Sequence, residues 1–195
     1  MTLERLRGKV APVTEKVGEV LARISPNPNT YTLLGLALAW LAPLASMRGL
    51  HWAGILLVAA SALVDALDGA VARAAGKVSR RGEFLDSVTD RLSDTAYYTA
   101  LSYAGLAPPL LLVALGFSVS ISYTRAKGEL VGVSMRGVGI MERGDRVVWI
   151  LLVYALAAAG MVYYGNLLLG VGVLLLAYTL VVRVARVWKA IREEV

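Results

Sequence analysis

The chain has 195 residues, 57% of them hydrophobic, and a mean hydropathy of +0.64; so apolar a composition excludes an ordinary soluble domain and fits one helical membrane unit. Cysteine is absent, which excludes disulfides and thiolate metal sites. The net charge of +6 would suit nucleic acid as a partner, but the placement of the charges argues against it and for a membrane surface.

Residues 3–23 come first and differ in kind from the rest. Leu3, Leu6, Val10, Val13, Val17, Val20 and Leu21 recur at three- and four-residue steps, with Arg5, Arg7, Lys9 and Lys16 between them. This is the pattern of an amphipathic helix lying in the membrane interface, and it sets residues 1–25 apart from a transmembrane domain over 26–195. No apolar core precedes a small-residue cleavage site, so no cleavable signal peptide is expected.

The uncharged runs 24–47, 49–64, 95–124 and 147–182 locate the spans. A span takes about 20 residues, so the last run holds two helices and the third is too long for one. Gly105 with Pro108-Pro109 breaks the third, and Gly165-Asn166 is expected to break the last. The expected transmembrane helices are therefore six, over about 30–47, 50–74, 83–105, 108–128, 145–163 and 166–187. The fold class is thus an all-α integral membrane protein with an N-terminal interfacial helix.

Six spans put both termini on one side. All 20 Lys and Arg except Arg48 fall on that side, which makes it cytoplasmic by the positive-inside rule. All 14 Asp and Glu fall there too, so the polar chemistry of this multi-pass protein of the cell membrane faces the cytoplasm.

Four of those acids lie in "DALDGAVARAAGKVSRRGEFLDSVTD". Asp65 and Asp68 are three apart, Asp86 and Asp90 four apart, so each pair occupies one helix face. The two helices are consecutive and antiparallel, which lets the four carboxylates converge. Each charge costs roughly 2.5–3.5 kcal/mol at the membrane centre, less toward the interface. Two divalent cations, Mg2+ or Mn2+, offset four negative charges and favour oxygen ligands. Paired ions of this kind commonly clamp a phosphoryl group in transfer. Asp94 continues the Asp86–Asp90 face and reads as a buried structural group. His51 lies at the far side, and Trp40, Trp52, Trp149 and Trp188 read as interface anchors or packing.

Written out, Asp65-x2-Asp68-Gly69-x2-Ala72-Arg73-x8-Gly82-x3-Asp86-x3-Asp90 resembles the signature of the CDP-alcohol phosphatidyltransferase family. The resemblance implies six spans, an interfacial helix and a homodimer. It also implies that a CDP-lipid binds with its pyrophosphate at the metals and its cytidine near Gly69 and Arg73. An acceptor alcohol attacks the lipid-bearing phosphorus and CMP leaves. By the same resemblance Asp65, Asp68 and Asp86 are metal ligands, and Asp90 both touches a metal and takes the proton of the attacking hydroxyl. "SPNPNTYT" is similar to the family's Pro-Asn/Asp-x-x-Thr step, making Asn29 and Thr32 candidates for nucleotide or phosphate contact; Asn29 would serve equally as a helix cap. Ser79 matches a small hydroxyl position with reach to a phosphate.

The acceptor is read from the remaining cytoplasmic cations. "SYTRAKGE" carries Arg125 and Lys127, "MRGVGIMERGDR" carries Arg136, Arg143 and Arg146, and the last span ends with Arg183 and Arg186. Converging guanidinium and ammonium groups suit a phosphate. "Arg-Ala-Lys-x-Glu" with "Gly-x-x-Glu-Arg-x-x-Arg" resembles the inositol-phosphate branch of the family. That resemblance makes Arg125, Lys127, Arg143 and Arg186 the acceptor-phosphate residues, with Arg146 and Arg183 beside them, and 1-myo-inositol 1-phosphate the acceptor. The donor carries diacylglycerol or archaeol. Glycerol 3-phosphate, serine or another alcohol is the nearest alternative acceptor. A divalent-cation transporter is the remote alternative, disfavoured because the far half of the membrane holds no charged path.

Overall fold

The break expected at Gly165-Asn166 falls five residues earlier, at Gly160. Gly160 takes φ +78°, a left-handed conformation that ends the helix there, while Gly165 lies inside the next one. Gly165 serves packing instead, since a Cβ on it would come within 2.9 Å of Leu106 Cδ2. The computed structural model describes residues 2–192, and the side chains of 12–191. Those residues form seven helices: α1 (Thr2–Ile24), α2 (Pro28–Met47), α3 (His51–Ala74), α4 (Arg80–Tyr103), α5 (Pro108–Leu130), α6 (Arg143–Ala158) and α7 (Val162–Arg192). Helices α2 to α7 stand where six spans are expected. Leu3, Leu6, Val10, Arg5, Arg7 and Lys9 of the expected amphipathic pattern lie outside the described side chains.

Among the described residues four stretches are long and apolar enough to cross a membrane: Pro28–Met47, His51–Ala74, Pro108–Leu130 and Val162–Ile191. Helix α4 matches α3 in length, but Arg80, Arg81, Glu83, Asp86, Asp90 and Arg91 crowd its first half, and Asp94 follows. Helix α6 has 16 residues, about 24 Å of rise against a hydrocarbon core of about 30 Å.

The chain divides into two compact units, Met1–Ala100 and Leu101–Val195. In the first, α2 begins with Pro28 at its first turn and Asn27 as N-cap, whose side chain accepts from the Asn29 N–H at 3.2 Å. The cap is therefore Asn27, which leaves the Asn29 side chain for other work. Buried Thr32, Gly35, Ala39, Ala42 and Ser46 then recur at three and four residues along α2. Gly54, Val58, Ser61 and Asp68 do the same on α3, with Asp65 filling the intervening place. Small side chains on facing seams let helix backbones approach closely in a membrane. The seams are fastened by Ser61 Oγ, which donates to Gly35 O at 2.7 Å and meets the Tyr97 hydroxyl of α4 at 2.8 Å. Ser46 Oγ donates to Ala100 O at 2.8 Å near the opposite end.

Helix α1 packs on α3 at one buried residue, Gly18, where an added Cβ would come within 2.8 Å of Ala70. Val13, Val17, Val20 and Ile24 form an exposed apolar stripe along the same helix. Tyr31 donates its hydroxyl to Leu21 O at 2.7 Å and holds the end of α1 to the start of α2.

In the second unit, Leu111, Ala114, Ser118, Ile121 and Gly128 line the buried face of α5. Leu169, Leu176, Thr179 and Arg183 line that of α7. Trp149 of α6 is a packing residue: its indole lies over Gly172 and donates to Leu168 O at 3.2 Å. Asn166 Oδ1 accepts from Ala107 N at 2.9 Å, giving the head of α5 a partner from α7.

Candidate functional site

Helix α3 runs from His51 to Ala74, so its two acids sit in its second half, about 21 Å or more from His51 by helical rise. His51 meets the α2 end, with Nδ1 3.0 Å from Ser46 Oγ. After Ala74 the chain turns through Gly76, at φ +63°, and enters α4. Ser79 caps α4, its Oγ accepting from Gly82 N at 3.1 Å. One turn later comes Asp86. The short turn thus returns a third carboxylate to the two on α3.

Carboxylate oxygens of Asp65, Asp68 and Asp86 all lie within 4.8 Å of one another. Oxygens sharing one Mg2+ at about 2.1 Å stand up to about 4.2 Å apart, so small side-chain rotations close the cage. The donor set is all oxygen and all anionic, which fits Mg2+ or Mn2+. Asp68 is buried, and Asp65 and Asp86 are half-buried. Helix α2 backs both acids of α3. Thr32 donates its hydroxyl to Asp68 Oδ2 at 2.6 Å, and the Gly35 backbone lies against Asp65, to whose Cβ an added Cβ would stand at 3.7 Å.

Asp90 stands outside that trio. It lies one turn further along α4, with Oδ2 3.4 Å from Nη1 of Arg91, and its side chain is 15% exposed. Arg91 also donates to Ser87 O. Asp94 is buried another turn along.

The candidate lipid-nucleotide residues gather around α4's first turn and the end of α3. A Cβ on Gly82 would meet Ser79 Oγ at 3.3 Å and Asn29 Oδ1 at 3.6 Å, so these residues share one place. Arg73 is exposed and folds back toward Gly69, its Nη1 3.6 Å from where a Cβ would sit. Thr32 is the exception, being 4% exposed with its proton on Asp68. Contact with the nucleotide or a phosphate is what the sequence leads one to expect of Thr32; its bond to Asp68 is a further contact, at the end of the 32–35–39–42–46 packing seam of α2.

The second unit carries the cations. Arg125 is exposed and pairs with Glu129 through Nε at 2.9 Å, while Lys127 Nζ lies 5.8 Å from the Tyr123 ring centre. Arg143 is half-buried, Arg186 exposed and Arg146 buried. Arg183 is buried too, donating Nε to Val138 O at 2.9 Å and Nη1 to Ile121 O at 3.1 Å. Two of its five N–H groups are therefore spent on the backbone. Arg125 and Arg146 lie within electrostatic reach of Arg183, with Glu142 and Glu129 as the anionic neighbours. Glu142 and Asp145 cap the start of α6, Glu142 N donating to Asp145 Oδ2 at 3.0 Å.

Known proteins resemble this chain over most of its length. The family described as CDP-alcohol phosphatidyltransferase matches residues 26–194. The chain is 44% identical over 147 residues to the archaetidylinositol phosphate synthase of Aeropyrum pernix, covering 75% of this chain and 76% of that one. It is 40% identical over 152 residues to the synthase of the same name from Pyrococcus horikoshii, covering 77% and 80%. Among solved structures it is similar to the phosphatidylinositol phosphate synthase of Mycobacterium tuberculosis with CDP-DAG bound. There the identity is 30%, the TM-score 0.75, and the coverage 91% of this chain and 94% of that one. The same enzyme in complex with manganese and citrate gives a TM-score of 0.76 at 30% identity, over 90% and 88%.

Proposed function

The chain belongs to the CDP-alcohol phosphatidyltransferase family and is an enzyme of phospholipid synthesis; from that premise we propose that it transfers a lipid phosphate from a CDP-lipid to 1-myo-inositol 1-phosphate. The observation that carries this is the approach of Asp65, Asp68 and Asp86 to within 4.8 Å, at the family's spacing. The names of the two archaeal relatives and of the mycobacterial neighbour support the inositol-phosphate acceptor. The archaeal relatives also favour a donor bearing archaeol over one bearing diacylglycerol.

Asp65, Asp68 and Asp86, with Asp90 beside them, would hold Mg2+ or Mn2+, as two ions against four carboxylates. Bound there, the cations supply positive charge against the pyrophosphate of the donor and the charge that builds on it. Asn29, Gly69, Arg73 and Ser79 take the nucleotide and its phosphates, with Thr32 acting through Asp68. Arg125, Lys127, Arg143 and Arg186, helped by Arg146 and Arg183, take the acceptor's phosphate by charge-assisted hydrogen bonds. Asp90 accepts the proton of the acceptor hydroxyl as that oxygen bonds to the lipid-bearing phosphorus. The bond from that phosphorus to the CMP oxygen breaks, and CMP leaves. General-base help of this kind supplies about 10²–10⁴-fold, and positioning supplies more.

In the same reading α2 to α7 are six spans, α1 lies in the interface on its Val13–Val17–Val20–Ile24 stripe, the polar site faces the cytoplasm, and the protein is a homodimer. Arg80, Arg81 and Glu83 belong at the membrane surface and Asp94 is buried within the protein, which reconciles α4 with a span. The deciding experiment incubates purified protein with CDP-archaeol or CDP-diacylglycerol, Mg2+ and a panel of acceptors, and follows CMP. Release with inositol phosphate alone is the expected result. Release with glycerol 3-phosphate or serine moves the protein to a sister branch, and no release with any acceptor refutes the reading.

A further inference from the structure

Residues 131–142 join α5 to α6, and their last part is fastened to α7 through its backbone. Thr179, fully buried on α7, donates its one proton to Leu175 O at 2.9 Å, a turn back along its own helix. Its lone pairs then accept the N–H groups of Ile140 and Met141, both at 3.3 Å. Gly139 completes the contact. It sits at φ +95°, and a Cβ there would collide with the Thr179 methyl. One turn further along α7, Arg183 donates Nε to Val138 O. A hydroxyl and a guanidinium on one helix face thus take up backbone groups of residues 138, 140 and 141.

The fastened stretch leads directly into the start of α6. Glu142 is the N-cap of that helix, and its Oε1 accepts from Gly137 N at 3.2 Å. Arg143 and Arg146 are residues of the first turn. The angle at which 138–141 enters α6 therefore sets where these two guanidinium groups stand. We propose that Thr179 is a positioning residue for the acceptor: its hydroxyl clamps the 139–141 backbone and so holds Arg143 and Arg146 in place for the acceptor's phosphate. This rests on the acceptor reading above. Phosphate recognition by arginine is directional, and small misplacements of a binding group are costly. Without this acceptor the buried Met141 N–H would be left unsatisfied and the part-buried Ile140 N–H would lose its partner, so the segment would move to find others.

The test compares Thr179→Val with Thr179→Ser in the full chain. Valine keeps the volume and removes the acceptor; serine keeps the hydroxyl. Hydrogen exchange of the Ile140 and Met141 amides reads the clamp directly, without any substrate. Steady-state CMP release reads KM for inositol phosphate and for the CDP-lipid separately. Thr179→Val is expected to lose protection at both amides and to raise the acceptor KM about tenfold, leaving the donor KM unchanged. Thr179→Ser is expected to restore both. Unchanged amide protection in Thr179→Val overturns the proposal, as does a donor KM that rises with the acceptor KM. If Thr179→Val does not fold, Gly139→Ala strains the same contact from the loop side and must show the same acceptor-only rise; no rise overturns the proposal. Should the wild type release CMP only with a different acceptor, the inositol-phosphate reading falls alone. Amide exchange and the KM of that acceptor then decide the role of Thr179.

Discussion

Thr32 on α2 and Asp68 on α3 are joined by a 2.6 Å hydrogen bond with both side chains nearly sealed from solvent. The hydroxyl proton lies on Oδ2, which orients the carboxylate toward Asp65 and Asp86 before any ion arrives. Partners of this kind commonly change metal affinity 10–100-fold. Thr32→Val should therefore raise the Mg2+ concentration that half-saturates CMP release by roughly that factor, while Thr32→Ser stays near the parent. An Mg2+ titration of the three proteins checks it; identical curves would remove Thr32 from the cage.

Removing the divalent ion altogether should end catalysis without unfolding the protein. Three carboxylates within 4.8 Å repel one another when no cation sits among them, but the seams of α2, α3 and α4 remain. Treatment with a chelator is expected to abolish CMP release, and added Mg2+ or Mn2+ to restore it. Binding of Mn2+ followed by electron paramagnetic resonance should weaken in Asp68→Asn and Asp86→Asn.

Asp90 lies outside the tightest trio, which suits a group with work other than ligation alone. Asp90→Asn keeps the shape and removes the base. Turnover should fall about 10²–10⁴-fold, with CDP-lipid affinity largely kept, as measured by equilibrium binding of the donor. Equal losses in binding and turnover would make Asp90 a ligand only.

The basic residues of the second unit divide by exposure. Arg125 and Arg186 are exposed, which leaves N–H groups accessible to a phosphate, and Arg143 is half-buried. Arg143→Ala and Arg125→Ala should each raise the KM for inositol phosphate roughly tenfold or more, the usual weight of a charge-assisted hydrogen bond. An unchanged KM in both would place the acceptor phosphate elsewhere.

At Gly18 helix α1 touches α3 two residues beyond Asp68, with no room for a side chain. Gly18→Leu would force the two helices apart at Ala70. A loss of about 1–3 kcal/mol is expected from such overpacking, read as a lower midpoint of thermal unfolding in detergent. A substitution at the exposed Val17 should change the midpoint much less.

Sequence spacing was sufficient for the acids because a helix has a fixed period: three and four residues return to one face whatever the surroundings. That alone made Asp65 with Asp68, and Asp86 with Asp90, candidates for one place. The partner of Thr32 was not legible, because the register between α2 and α3 is set by contacts such as Ser61 to Gly35 and not by either sequence alone. The backbone bonds of Arg183 were hidden for a similar reason: nothing in the sequence shows that the loop carbonyl at Val138 and the helix carbonyl at Ile121 take two of its five N–H groups, beside the phosphate role expected for it. The end of α6 was misplaced because two glycines competed, and only backbone conformation distinguishes Gly160, which turns, from Gly165, which packs.

Thr32 and Asp68 close the same rows of small residues that run through Gly35, Ala42, Val58 and Ser61. Sliding α3 past α2 by a single turn would carry Asp68 about 5.4 Å from Thr32 and leave its carboxylate without the hydroxyl that aims it. The enzyme can therefore be refitted to a thicker, hotter or chemically different bilayer only through its outward-facing side chains. The inner rails are shared property of anchorage and chemistry, and neither can be retuned without the other.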